Sequence, residues 1–165
     1  MNFLSKVILV VLLTLIPLSF VHASIDQVED PIGQAEDEVE ELFNKTHSLT
    51  VTQPTSKKEF FFHFLKKKLE ENHHITSLNF IDIKLNTYGI LFIEVMLDNN
   101  EFIEKLRLNN CNLSNDDLKD IVSGLEDNKT LKSIVFQKNP LITKEAQEDF
   151  KKAVVNKNIT IEFDS

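Results

Sequence analysis

From Lys57 onward the apolar positions of the chain recur every 28 residues. Ile75, Ile103, Leu131 and Ile159 form one column, and Leu78, Leu106 and Ile134 a second. Phe80, Leu108 and Phe136 form a third, and Leu85, Leu113 and Leu141 a fourth. In Leu106-Arg107-Leu108 and its equivalents apolar and polar side chains alternate, which predicts a strand with one buried face. Ile90, Ile93 and Leu97, matched by Leu118, Ile121 and Leu125, are spaced three and four apart. That spacing predicts a helix with one apolar stripe. Each period is therefore one strand, one loop and one helix.

The pattern divides the chain from residue 57. Stepping back 28 from Ile90, Ile93 and Leu97 reaches Phe62, Leu65 and Leu69. Residues 57–71 thus read as the helix of a truncated unit, with Ser56 as its N-cap. The extra Phe60, Phe61 and Phe64 are expected to cover an open end. Full units follow at 72–99, 100–127 and 128–155, and a terminal strand at 156–165. In that strand Glu162 falls where Leu106 and Ile134 sit. A slide by one residue would instead bury Ile159, Ile161 and Phe163, with Ala146, Phe150 and Ala153 facing them.

Polar residues keep the same period. Ser114 with Asp117 forms the pattern of a capping box, and Thr143 is placed to open the next helix. Asn72, Asn100, Asn128 and Asn156 follow the helices and read as left-handed C-terminal caps. Ile83, Cys111 and Asn139 form a column just past the strands. There Asn139 is expected to hydrogen-bond the neighbouring loop and Cys111 to pack as a small apolar group.

Ile103–Leu113, I-E-K-L-R-L-N-N-C-N-L, fills every position of L-x-x-L-x-L-x-x-N/C-x-L. With the 28-residue period and a helix per unit, residues 72–163 resemble the ribonuclease-inhibitor class of leucine-rich repeats. The resemblance implies an α/β solenoid with a curved parallel sheet on its concave side and α-helices on its convex side. It also implies that a protein ligand meets the concave face. The outward strand columns are Ser77, Lys105 and Ser133; Asn79, Arg107 and Val135; and Ile81, Asn109 and Gln137. The candidate protein-binding residues are accordingly Ser77, Asn79, Lys105, Arg107, Asn109, Ser133, Val135 and Gln137. With Lys105, Arg107, Lys132 and Lys138 this face is mildly basic and suits an acidic protein partner.

The segments before residue 57 differ in kind. Lys6 followed by the apolar Val7–Phe20 and by Val21-His22-Ala23 has the form of a secretory signal peptide over 1–23. The chain is then expected to be secreted or periplasmic, with no membrane attachment once processed. Residues 24–56 carry eight acids and one base, with Pro31, Gly33 and Pro54, and read as an acidic, disordered linker. The opposite charges suggest that the strand face could seat this segment. Asn44, Asn112, Asn128 and Asn158 head glycosylation sequons.

Composition sets the remaining limits. A net charge of −8 argues against nucleic acid as a partner. Cys111 is the single cysteine, so there is no internal disulfide. The histidines His47, His63, His73 and His74 lack metal-ligand spacing, and the 3 glycines form no phosphate loop. No catalytic residue, metal or cofactor is expected. The competing non-enzymatic use is assembly, through pairing of the exposed edge Ile159–Phe163 with another strand.

Overall fold

The computed structural model describes residues 30–43 and 47–164. The signal-peptide reading of 1–23 and the sequon at Asn44 lie outside them. The elements are α1 (Pro31–Phe43), β1 (Ser48–Val51), α2 (Lys58–Glu71), β2 (Ser77–Ile81), α3 (Thr87–Asn99), β3 (Lys105–Asn109), α4 (Asn115–Leu125), β4 (Ser133–Phe136), α5 (Lys144–Ala153) and β5 (Thr160–Phe163). A 3-10 turn, Val155–Lys157, precedes β5. The fold is α/β. Its five strands make one parallel sheet in the order β1-β2-β3-β4-β5.

The apolar columns explain this arrangement. Leu78 pairs in register with Leu106, and Leu106 with Ile134; all three are buried. Phe80, Leu108 and Phe136 are buried one pleat further on. Against them pack Phe62, Leu65 and Leu69 of α2, Ile90, Ile93 and Leu97 of α3, Leu118, Ile121 and Leu125 of α4, and Phe150 of α5. All belong to one continuous core, so the helices cover one side of the sheet. Ser114 and Asp117 make the expected capping box, and the Thr143 hydroxyl accepts from the Ala146 N–H at 3.2 Å. Asn86 opens α3 in the same way, accepting from the Gly89 N–H.

Residues 31–51 are not a disordered linker. Pro31–Ser165 is one compact unit, and the acidic stretch supplies its first helix and first strand. Ala35 and Val39 of α1 are buried, as are Leu49 and Val51 of β1. The core they enter outweighs the charge on the outer side of α1. Glu38 ties α1 to the start of α2: its carboxylate accepts from the Ser56 hydroxyl at 2.7 Å, the Thr55 N–H at 2.8 Å and the Ser56 N–H at 3.2 Å. Lys68 of α2 pairs with Glu40 at 2.6 Å. Two expectations fall with this. Ser56 serves Glu38 and does not cap α2, whose N-cap is Lys57. Nor does Phe61 face an open end, because α1 packs against α2 and Phe61 is buried in the core, with Phe64 partly buried against it.

The asparagine column also acts differently. Asn72 and Asn100 are extended, with φ of −106° and −90°. Their side-chain oxygens accept from the N–H groups two and three residues on: His74 and Ile75, and Phe102 and Ile103. Asn128 does the same for Thr130 and Leu131. The amides thus close the turn that leads from each helix into the next strand. Left-handed residues lie instead past the strands, at Asp82, Asn110 and Lys138, in the loop after β3 at Asn112, and at Asn158, which ends the 3-10 turn that contains Asn156.

The period drifts at three places. Leu49 pairs with Leu78, 29 residues on, and Ser133 with Thr160, 27 on. The second drift is the expected slide, and it sets Phe163 flat on Phe136, ring centroids 4.9 Å apart. The third lies between β4 and α5. A turn closed by the Ile142 N–H on the Asn139 carbonyl absorbs one extra residue. Ile142 is therefore buried where Leu141 was expected, and Leu141 is exposed.

Candidate functional site

The face of the sheet opposite the helices carries the candidate binding residues. Backbone pairing sets them in rows across the strands. Ser77, Lys105, Ser133 and Thr160 form one row, and Asn79, Arg107, Val135 and Glu162 the next. Asn109 pairs with Ile81 in the row beyond. Ser48 and Thr50 of β1 extend the first two rows. Neither they nor Thr160 and Glu162 were expected there, although Ser-Leu-Thr-Val already alternates and is rich in strand formers.

The rows differ in what they offer a partner. Asn79 is engaged: its amide donates to the Leu49 carbonyl at 3.2 Å and to the Ser48 hydroxyl at 3.1 Å. Val135 is only 7% exposed, so it belongs to the floor of the face and not to a contact surface. Asn109 is half-buried and its side-chain oxygen has no hydrogen-bond partner among the described residues. Lys105 and Arg107 are exposed on the central strand. Neither makes a salt bridge or side-chain hydrogen bond within the described chain, so both cations remain available. They lie on one side of the same strand, about 7 Å apart along it.

The other basic residues contribute less. Lys132 is neutralised by Glu104 at 2.5 Å. Glu162 stands in the row of Arg107, two strands away. The positive part of the face thus comes from Lys105 and Arg107 on β3, with the exposed Lys138 just past β4. In the described part of the acidic segment, Glu38 and Glu40 are bonded at the start of α2 and in α2 itself, and not at this face.

Below the strands the Asn139 amide joins two units. Its oxygen accepts from the Cys111 N–H at 3.0 Å and the Leu113 N–H at 3.2 Å. Its nitrogen donates to the Leu108 carbonyl at 2.8 Å and the Gln137 carbonyl at 3.0 Å. The Cys111 sulfur lies 3.4 Å from the Asn109 carbonyl and 3.5 Å from that of Phe80. Burial pushes the thiol up to about 12; a backbone hydrogen bond at Ile83 partly opposes this, and the charge of Asp82 adds to it. Cys111 is therefore a protonated, inert group of the core.

The histidines are engaged structurally. His73 stacks on Phe102, ring centroids 4.5 Å apart, and the His47 Nδ1 lies 2.9 Å from the His74 carbonyl. His63 is exposed on α2. Among the described residues no group of three or more His, Cys, Asp or Glu is placed to hold a metal ion. No helix among them is long and apolar enough to cross a membrane. Comparison of the chain with protein-family models and with curated proteins yields no match.

Proposed function

We propose that the chain is an exported, non-enzymatic protein-binding module of the leucine-rich-repeat kind, which takes an acidic protein segment on the strand face. The observation that carries the reading is the pair Lys105 and Arg107. Both are exposed on the central strand, on the side that no helix covers, with their charges unspent. Arg107 offers a planar fork that suits a carboxylate in two-point contact, while Lys105 supplies a mobile point charge. Ser77, Ser133 and Gln137 surround them with hydroxyl and amide groups for orientation. The five-strand sheet and the periodic core also support the repeat reading.

Crosslinking of the mature protein in its native compartment, followed by capture, tests this. Wild type should retain a protein partner in a salt-sensitive manner, and the Lys105→Glu/Arg107→Glu variant should lose it. Equal capture by both would remove the strand face from consideration.

A second reading is assembly through β5, which lies at the edge of the sheet and bonds only to β4. The strand is four residues long and carries Glu162, with Asp164 beside it, features that blunt an edge against pairing. Light scattering at high concentration separates the two readings, since assembly through β5 requires growth in mass that an Ile161→Lys variant abolishes.

A further inference from the structure

Helix α3 is predominantly apolar. Thr87–Asn99 reads TYGILFIEVMLDN, and Glu94 and Asp98 are its only charges. A helix of that composition is normally enclosed by protein. Here Gly89, Ile90, Phe92, Ile93, Met96 and Leu97 face the core, yet Tyr88 is 55% and Leu91 52% exposed. Leu141, displaced outward by the extra residue before α5, is also 52% exposed. Leu91 and Leu141 line the same groove, which has a volume of about 560 Å³ and a floor of Leu85 and Ile90. A second hollow of about 280 Å³ shares Leu91 and Glu94 with it and continues between α3 and α4. The groove is thus built from helices and the loops that enter them, with a small apolar patch of Leu85, Ile90, Leu91 and Leu141 inside a largely polar and acidic rim.

Its charge is one-sided. Glu94, Asp98, Asp117, Asp120, Glu126 and Asp127 line the two hollows, and neither contains a Lys, Arg or His. Asp117 is used in the capping box of α4. Glu94, Asp120 and Asp127 form no salt bridge among the described residues, although the charge of Asp120 is felt by Lys119. Lys119 turns to Asp116, and Lys157 reaches only the Glu126 carbonyl at the margin. Gly124 helps to shape the groove: a Cβ there would stand 2.5 Å from the Glu94 carbonyl oxygen, so the two helix backbones touch at that point.

We propose that this groove docks a basic amphipathic peptide segment of a partner protein, with apolar side chains between Leu91 and Leu141 and flanking Lys or Arg on the acidic rim. Exposed apolar side chains supply the contact area, and the carboxylates select the sign of the charge. The groove is remote from the strand face in composition and opposite to it in charge. Its occupancy is independent of what binds at Lys105 and Arg107.

The test uses a fluorescein-labelled helical peptide of Leu and Lys, its Leu→Ser and its Lys→Glu counterparts, and the whole mature chain. Fluorescence anisotropy at physiological salt should show binding of the first peptide only. Leu91→Gln/Leu141→Gln should weaken it by about tenfold or more, the scale expected when two half-exposed leucines lose their contact. Glu94→Lys/Asp120→Lys should abolish it, and Lys105→Glu/Arg107→Glu should leave it intact. Unchanged thermal melts confirm that each variant is folded. Binding of the Leu→Ser peptide as tightly as the first, or insensitivity to Leu91→Gln/Leu141→Gln, overturns the proposal. So does a protein dimer that buries Leu91, because a second copy would then be the occupant.

Discussion

The backbone N–H of Lys138 donates to the side-chain carboxylate of Asp164 at 2.5 Å. Its equivalents donate to the end of the next strand: Asp82 to the Asn109 carbonyl at 3.0 Å and Asn110 to the Gln137 carbonyl at 2.8 Å. Asp164 thus completes the ladder where the sheet ends. Asp164→Ala should lower stability by about 1–2 kcal/mol, because a hydrogen bond to a charged acceptor is lost. Urea unfolding measures the loss, and amide exchange at Lys138 should quicken while that at Asn110 does not.

Asn139 joins the two units above it through four backbone contacts. Asn139→Ala strands the buried N–H groups of Cys111 and Leu113 and should cost about 2–4 kcal/mol, read from the urea midpoint. Cys111→Ala removes only a small buried group and should cost about 1 kcal/mol. At neutral pH the native thiol should resist alkylation, and unfolded protein should react readily; fast labelling of the folded chain would contradict the buried assignment.

Much of this was legible in the sequence, for a definite physical reason. Side chains that pack across equivalent layers must repeat where the backbone repeats, so Leu78, Leu106 and Ile134 announce the sheet by themselves. The misses occur where the repeat length changes. β1 went unseen because its offset to β2 is 29, which puts Thr50 and Thr52 where Leu49 and Val51 were needed. The 28-residue period places Leu141 inside, because the extra residue in its loop leaves no trace in composition. Of the binding face, the row positions were legible but their environments were not. Val135 looked like an outward residue, yet its neighbours cover it, and Asn79 looked free, yet β1 occupies its amide.

Glu38 makes the docking of α1 sensitive to acid. Partial burial works to raise its pKa, but hydrogen bonds from the Ser56 side chain and from the Thr55 and Ser56 backbone outweigh that and leave it below the ordinary glutamate value of 4.5. The unfolded chain therefore takes up the proton first as pH falls. The contribution of Glu38 is present above about 4.5 and is lost as pH drops through the lower folded value. Glu38→Gln should be about 1 kcal/mol less stable than wild type at neutral pH, a modest figure because the site is partly solvated. Melts across pH should show that gap closing below about 4. A gap that widens in acid would contradict the assignment.

At Gly124 the approach of α4 to α3 leaves no room for a methyl group, since the nearest Glu94 atoms are backbone. Gly124→Ala should cost about 1–3 kcal/mol despite the better helix propensity of alanine. Thermal unfolding checks this. A neutral or stabilising result would mean that the helices separate easily.

In the proposed function the strand face, and not the helix side, meets the principal protein partner. A photo-crosslinking residue placed in turn at Ser77, Ser133 and Gln137, and at the exposed Glu148 of α5 as a helix-side control, tests it most directly in the native compartment. A shared protein adduct should form from the three strand-face positions, be absent from Glu148 and be lost on Lys105→Glu/Arg107→Glu. An adduct from Glu148 with none from the strand positions would contradict it.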